Sequence, residues 1–108
     1  MDVPEIDIAE AVRRWGAGTP IVDVREPHEY VEVHVSGAML IPLGDVADRL
    51  EEIPSDGEVL IICKVGGRSR RAAEILRPLG FDAVNIAGGT LAWIADGHPV
   101  VEGDEIEA

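Results

Sequence analysis

Glu58-Val59-Leu60-Ile61-Ile62-Cys63-Lys64-Val65-Gly66-Gly67-Arg68-Ser69 is the stretch that decides the fold. From Val59 to Ile62 every residue is apolar, and two are isoleucine. An unbroken apolar run of this length, rather than an alternating one, predicts a central strand covered on both faces. Gly66 and Gly67 end the run in a loop. The residues from Ser69 to Leu79 then place Ala72, Ala73, Ile75, Leu76 and Leu79 at helical spacing, and Gly80 stops the helix. A buried strand, a glycine loop and a helix in that order form half of a βαβ unit, whose partner strands run parallel.

The rest of the chain repeats the alternation. Asp7 caps a helix that runs to about Trp15, with Ile8, Ala11, Val12 and Trp15 on one face. A strand is expected from Pro20 to Val24, a short helical piece from His28 to Val31, and another strand from Ala38 to Ile41. Asp45 to Glu52 reads as a helix with Val46, Leu50 and Ile53 inward. Ala83 to Ile86 reads as a strand, Gly88-Gly89 as a turn, and Thr90 to Asp96 as a last helix. The alternation predicts an α/β fold, a mainly parallel sheet with helices on both faces. Residues 1–101 form one domain in this reading, and 102–108 form an acidic, flexible tail.

Composition narrows the function. The chain has 108 residues and a formal charge of −12, which argues against nucleic acid or an anionic membrane as the main partner. Five of the nine basic residues nevertheless fall between Lys64 and Arg77, where Glu74 is the one acid. That local cationic patch points to a small anionic ligand, or to a solvated helix face. Cys63 is the single cysteine, so an internal disulfide and a CxxC pair are excluded. No two histidines stand with a carboxylate at metal-ligand spacing, and no apolar run approaches the ~20 residues of a membrane span. The expected setting is cytoplasmic, where a free thiol survives.

Ligands of parallel sheets bind beyond the carboxyl ends of the strands, and Cys63 stands at such an end. Gly66 and Gly67 allow successive backbone N–H groups to turn toward one centre. The helix that follows directs its positive end there, and Lys64 and Arg68 add full charges. Reactive cysteines in such surroundings have pKa values of roughly 3.5–7.5, against ~8.5 for a free thiol. Cys63 is therefore the candidate nucleophile. Lys64, Val65, Gly66, Gly67, Arg68 and Ser69 are the candidate substrate-binding residues.

Cys63-Lys64-Val65-Gly66-Gly67-Arg68-Ser69 resembles the active-site loop of rhodanese-like sulfurtransferases, and the chain is similar to single-domain members of that family over nearly its whole length. Ile21-Val22-Asp23-Val24-Arg25-Glu26 with Glu29-Tyr30 resembles the first family motif. His34-Val35-Ser36-Gly37-Ala38, followed by Ile41-Pro42-Leu43, resembles the second, although Val33 replaces a usual Gly and Ser36 a usual Pro. Gly88-Gly89, Ala92-Trp93 and Gly97-His98-Pro99 resemble the closing motif. The resemblance implies a rhodanese-like α/β fold, a three-layer sandwich whose mainly parallel sheet of about five strands has helices on both faces, and transfer of a sulfane sulfur through a Cys63 persulfide. The donor would be thiosulfate or a persulfide. The acceptor would be a thiol, cyanide, a thioredoxin-like protein or a sulfur-relay protein. No metal or organic cofactor is implied.

The resemblance also suggests that Asp23 orients Arg68 through an ion pair, the alternative being a carboxylate that stabilises a turn. Arg25 assists, or pairs with Glu26 or Glu29. His34 is read as structural, His28 and His98 as surface residues, and Trp93 as core. Two competing readings remain. One is a non-enzymatic module that keeps the fold as a regulator or sulfur carrier. The other is a phosphatase or arsenate reductase, whose loop places five residues between Cys and Arg. Here four residues separate Cys63 from Arg68, a smaller cradle that suits one sulfur atom better than a phosphoryl group.

Overall fold

The computed structural model describes residues 2–103. The part of the expected tail from 104 onward lies outside the described residues. Five strands form a parallel sheet. They are β1 (Glu5–Ile6), β2 (Ile21–Asp23), β4 (Met39–Leu40), β5 (Glu58–Ile62) and β6 (Asp82–Ile86), in the order β1-β6-β5-β2-β4. β5 is central, as its unbroken apolar run requires.

Its side chains alternate between two cores. Val59, Ile61 and Cys63 face one way, and Leu60 and Ile62 the other. All four apolar residues of the run are fully buried, and burying each contributes about 1.5–3 kcal/mol. On the Cys63 side, helix α3 (Gly67–Leu76) packs Ala72, Ala73 and Leu76 against the sheet. On the opposite side lie α1 (Ile8–Gly16) and α4 (Gly89–Ala95). Asp7 caps α1 by accepting from the Glu10 amide at 2.9 Å. Trp15 meets Trp93 edge to face, with ring centroids 5.4 Å apart, and Trp93 is fully buried.

The expected helix over Asp45–Glu52 is instead two 3₁₀ segments, Leu43–Asp48 and Leu50–Glu52, broken at Arg49. The apolar residues explain it. Leu43 and Val46 are three apart, as are Leu50 and Ile53, and a 3₁₀ turn stacks i and i+3 on one line. Those four residues join the Cys63-side core.

A short helix, α2 (Pro27–Glu32), follows β2 in the chain. Beside it, β3 (His34–Val35) pairs antiparallel with β7 (Val100–Val101) in a separate ribbon. β1, β3 and β7 have two residues each, too few for a periodic signal. Hydrogen bonding continues past β7, since the Gly103 amide donates to the Val31 carbonyl at 2.6 Å.

Candidate active site

Cys63 immediately follows β5 and is 1% exposed. The chain then reverses through Gly66, whose φ of +116° is the left-handed region that glycine tolerates. This reversal brings donors back onto the sulfur. The Gly66 amide donates to Cys63 Sγ at 3.1 Å, and Ser69 Oγ lies 3.2 Å from it. Burial pushes the Cys63 thiol up. Against it act the Ser69 hydroxyl and the amides of Ser69, Gly66 and Val65, and the balance lies below the ordinary thiol value. These groups stabilise negative charge on sulfur.

Two elements hold this loop. From α4, the Thr90 amide and hydroxyl donate to the Cys63 carbonyl at 2.8 and 2.9 Å, and the Leu91 amide donates to the Lys64 carbonyl at 3.1 Å. Gly89 makes that approach possible. A Cβ there would stand 2.5–2.6 Å from backbone atoms of Cys63 and Lys64. On the other side, buried Asn85 of β6 donates from Nδ2 to the Gly66 carbonyl at 3.2 Å and to Glu5 Oε2 at 2.8 Å. Its Oδ1 lies 2.5 Å from Ser69 Oγ.

The predicted pairing of Asp23 with Arg68 is not what the structure contains. Asp23 is wholly buried and accepts from Arg25, with Nε 3.0 and 3.1 Å from its two oxygens and Nη2 at 2.8 Å. It also accepts from the Arg25 amide at 3.0 Å. Arg25 Nη2 donates further to the Val33 carbonyl at 2.7 Å. Arg25 therefore pairs with neither Glu26 nor Glu29. Its side chain folds back beneath α2, where the carboxylate two residues earlier is within reach. Arg68 is bound by Glu29 of α2, with Nη1–Oε1 at 2.6 Å and Nη2–Oε2 at 2.9 Å. That guanidinium holds the Glu29 carboxyl down at about 2.

Lys64 and Val65 are exposed, and Gly67 opens α3. Of the nine basic residues, six are paired with carboxylates. Arg13 and Arg14 pair with Glu10, Arg25 with Asp23, Arg49 with Glu52, Arg68 with Glu29 and Arg77 with Asp82. Lys64, Arg70 and Arg71 have no ion pair among the described residues, and all three lie within eight residues of Cys63. A cavity of about 300 Å³ between α2 and α4 reaches Lys64 and is walled by Arg25, Glu29, Glu32, Leu91 and Ile94 among others; Cys63 is not in its lining. His34 is buried, with Nδ1 2.8 Å from the Tyr30 carbonyl oxygen and its ring stacked on Tyr30. His28 is exposed. His98 is half-buried and meets Trp93 edge-on.

A rhodanese-like domain model matches residues 7–96. The chain belongs to the rhodanese-like domain family. A sulfurtransferase of Allochromatium vinosum is 37% identical over 82 residues, covering 75% of this chain and 77% of that protein. YtwF of Bacillus subtilis is 33% identical over 101 residues, 92% of this chain and 98% of its own. Among solved structures, a rhodanese-related protein of Thermoplasma volcanium superposes with a TM-score of 0.85 at 32% identity, over 91% of this chain and 97% of that one. The rhodanese-like fold expected from the sequence is thus the one observed.

Asn85, Glu5, Glu29 and Gly89 escaped the sequence reading as parts of the site. Asn85 carried a signal, as the one polar residue within Ala83–Ile86. Glu29 stood in the first family motif, but its partner Arg68 lies 39 residues away, and no local pattern joined the two.

Among the described residues no helix is long and apolar enough to cross a membrane, and no group of His, Cys, Asp and Glu is arranged to hold a metal ion.

Proposed function

We propose that this rhodanese-like domain is a sulfurtransferase that carries a sulfane sulfur on Cys63, taken from thiosulfate or a persulfide and passed to a thiol or cyanide. The observation that carries this reading is the buried Cys63 sulfur ringed by hydrogen-bond donors. Sulfurtransferase-named relatives support the general activity.

In the first half-reaction the Cys63 thiolate attacks the outer sulfur of thiosulfate. The donor S–S bond breaks, sulfite leaves with the electron pair, and a new S–S bond forms on Cys63. An acceptor thiolate or cyanide then attacks that outer sulfur, and Cys63 leaves as the thiolate. The inward amides act on sulfur as an oxyanion hole acts on oxygen, stabilising charge without moving. Lys64, Arg70 and Arg71, which have no ion pair among the described residues, favour an anionic donor in an otherwise acidic protein.

Incubation with thiosulfate is expected to add one sulfur atom to Cys63 and release one sulfite per chain, and Cys63→Ser to abolish both. Absence of both from the wild-type chain, with no thiocyanate formed from cyanide, refutes thiosulfate catalysis. Lys64→Glu is expected to raise the KM for thiosulfate several-fold. An unchanged KM removes Lys64 from the donor site.

A further inference from the structure

Ser69 Oγ has two neighbours that want its proton. Cys63 Sγ lies 3.2 Å away and Asn85 Oδ1 2.5 Å away. A serine hydroxyl has one proton to donate. The Asn85 amide is fixed the other way round, because its Nδ2 faces two acceptors, Glu5 Oε2 and the Gly66 carbonyl. Its Oδ1 must therefore face Ser69.

We propose that Asn85 is a positioning residue for Cys63 that acts through Ser69, competing with the sulfur for the hydroxyl proton. With Cys63 as a thiol, S–H donates to Oγ and O–H donates to Oδ1, so the chain is satisfied from end to end. On ionisation the thiol proton leaves to water and the hydroxyl turns to the sulfur. Oδ1 then faces an oxygen lone pair at close range, inside a site where Ser69 and Asn85 are both buried. Asn85 thus favours the thiol and limits how far the amide cradle can stabilise the thiolate.

The charges around Cys63 do not supply this effect. Lys64 belongs to the loop, and Arg68 of α3 is neutralised by Glu29 of α2. Asp23, the last residue of β2, is neutralised by Arg25, and Glu5 of β1 stands behind Asn85. An apolar residue at position 85 leaves all of these charges in place.

The test reads Cys63 ionisation directly, by ultraviolet thiolate absorbance and by alkylation rate against pH, with no sulfur donor present. Its outcome is therefore separate from that of the sulfur-transfer assay. Asn85→Leu is expected to lower the Cys63 pKa by about half to one unit. If Asn85 only braces the loop through Nδ2, its loss loosens the cradle and the pKa rises. A rise or no change overturns the proposal. Ser69→Ala alone is expected to raise the pKa only slightly, because the hydroxyl is shared, and this holds as a test even if the Asn85 variant does not fold. A rise of a full unit or more would show that the hydroxyl belongs to the sulfur alone, against the proposal. In the Ser69→Ala background, Asn85→Leu is expected to lower nothing further, and an equal lowering in both backgrounds rules out action through Ser69.

Discussion

The floor and the rim of the Cys63 site each hold an arginine gripped by a carboxylate, and the two pairs do different work. On the floor, Asp23 and Arg25 are 0% and 4% exposed, and Arg25 spends a further donor on the Val33 carbonyl. At the rim, Arg68 and Glu29 keep 36% and 20% of their side chains in solvent. The chemistry is the same and the surroundings are not. A buried pair is costly to break because the survivor stays charged in a place without water. A half-exposed pair can be lost cheaply, since water replaces the partner. The floor therefore ties β2 to the segment leading into β3, while the rim sets where a cation stands beside the sulfur.

The largest difference should appear in stability. Asp23→Ala leaves Arg25 buried and alone, with an expected loss of about 3–5 kcal/mol in denaturant unfolding. Glu29→Ala should cost about 1 kcal/mol or less. Equal losses would break the distinction between floor and rim. The next effect concerns turnover. Glu29→Gln frees the Arg68 guanidinium, and kcat/KM for thiosulfate is expected to fall about tenfold, equivalent to about 1.4 kcal/mol of transition-state binding. An unchanged kcat/KM would make the rim pair ornamental to the chemistry.

The smallest effect is the acid response of the rim. The Glu29 carboxyl sits lower in the folded chain, at about 2, than in the unfolded chain, near 4.5. A lowered carboxylate contributes stability above the unfolded value and loses it as pH falls toward the folded one. The contribution should therefore fade between pH 4.5 and 2. Solvent limits it to about 1 kcal/mol. Unfolding of the wild type and Glu29→Gln at stepped pH should converge over that window. Parallel curves would mean that Arg68 holds Glu29 no better than water does.

Much of this architecture was legible before any coordinates. The run Val59–Ile62 has no polar residue, so its central place and the position of Cys63 at its end followed from burial alone. That the loop turns on glycine followed from the residue type, but Gly66 and Gly67 read alike in the sequence and of the two only Gly66 takes a left-handed φ. Which carboxylate takes which arginine did not follow. Asp23 and Arg25 are two apart in the chain, whereas Glu29 and Arg68 are 39 apart, and no local rule reaches that far. The two-residue strands β1, β3 and β7 and the 3₁₀ segments were hidden for another reason. Their few residues are ordered by what they pack against, not by a period of their own.

Gly89 limits how this loop can change in length. Through the close approach it permits, α4 pins the carbonyls of Cys63 and Lys64. The Gly66 carbonyl is pinned in turn by the amides of Arg70 and Asn85. Between these anchors only Val65 stands out in solvent, 61% exposed. An inserted residue thus has one place to enter, next to Val65, and would bulge outward there while both anchor points stay put. Lengthening the loop elsewhere means moving a whole helix, so variation in size at this site is channelled to a single position.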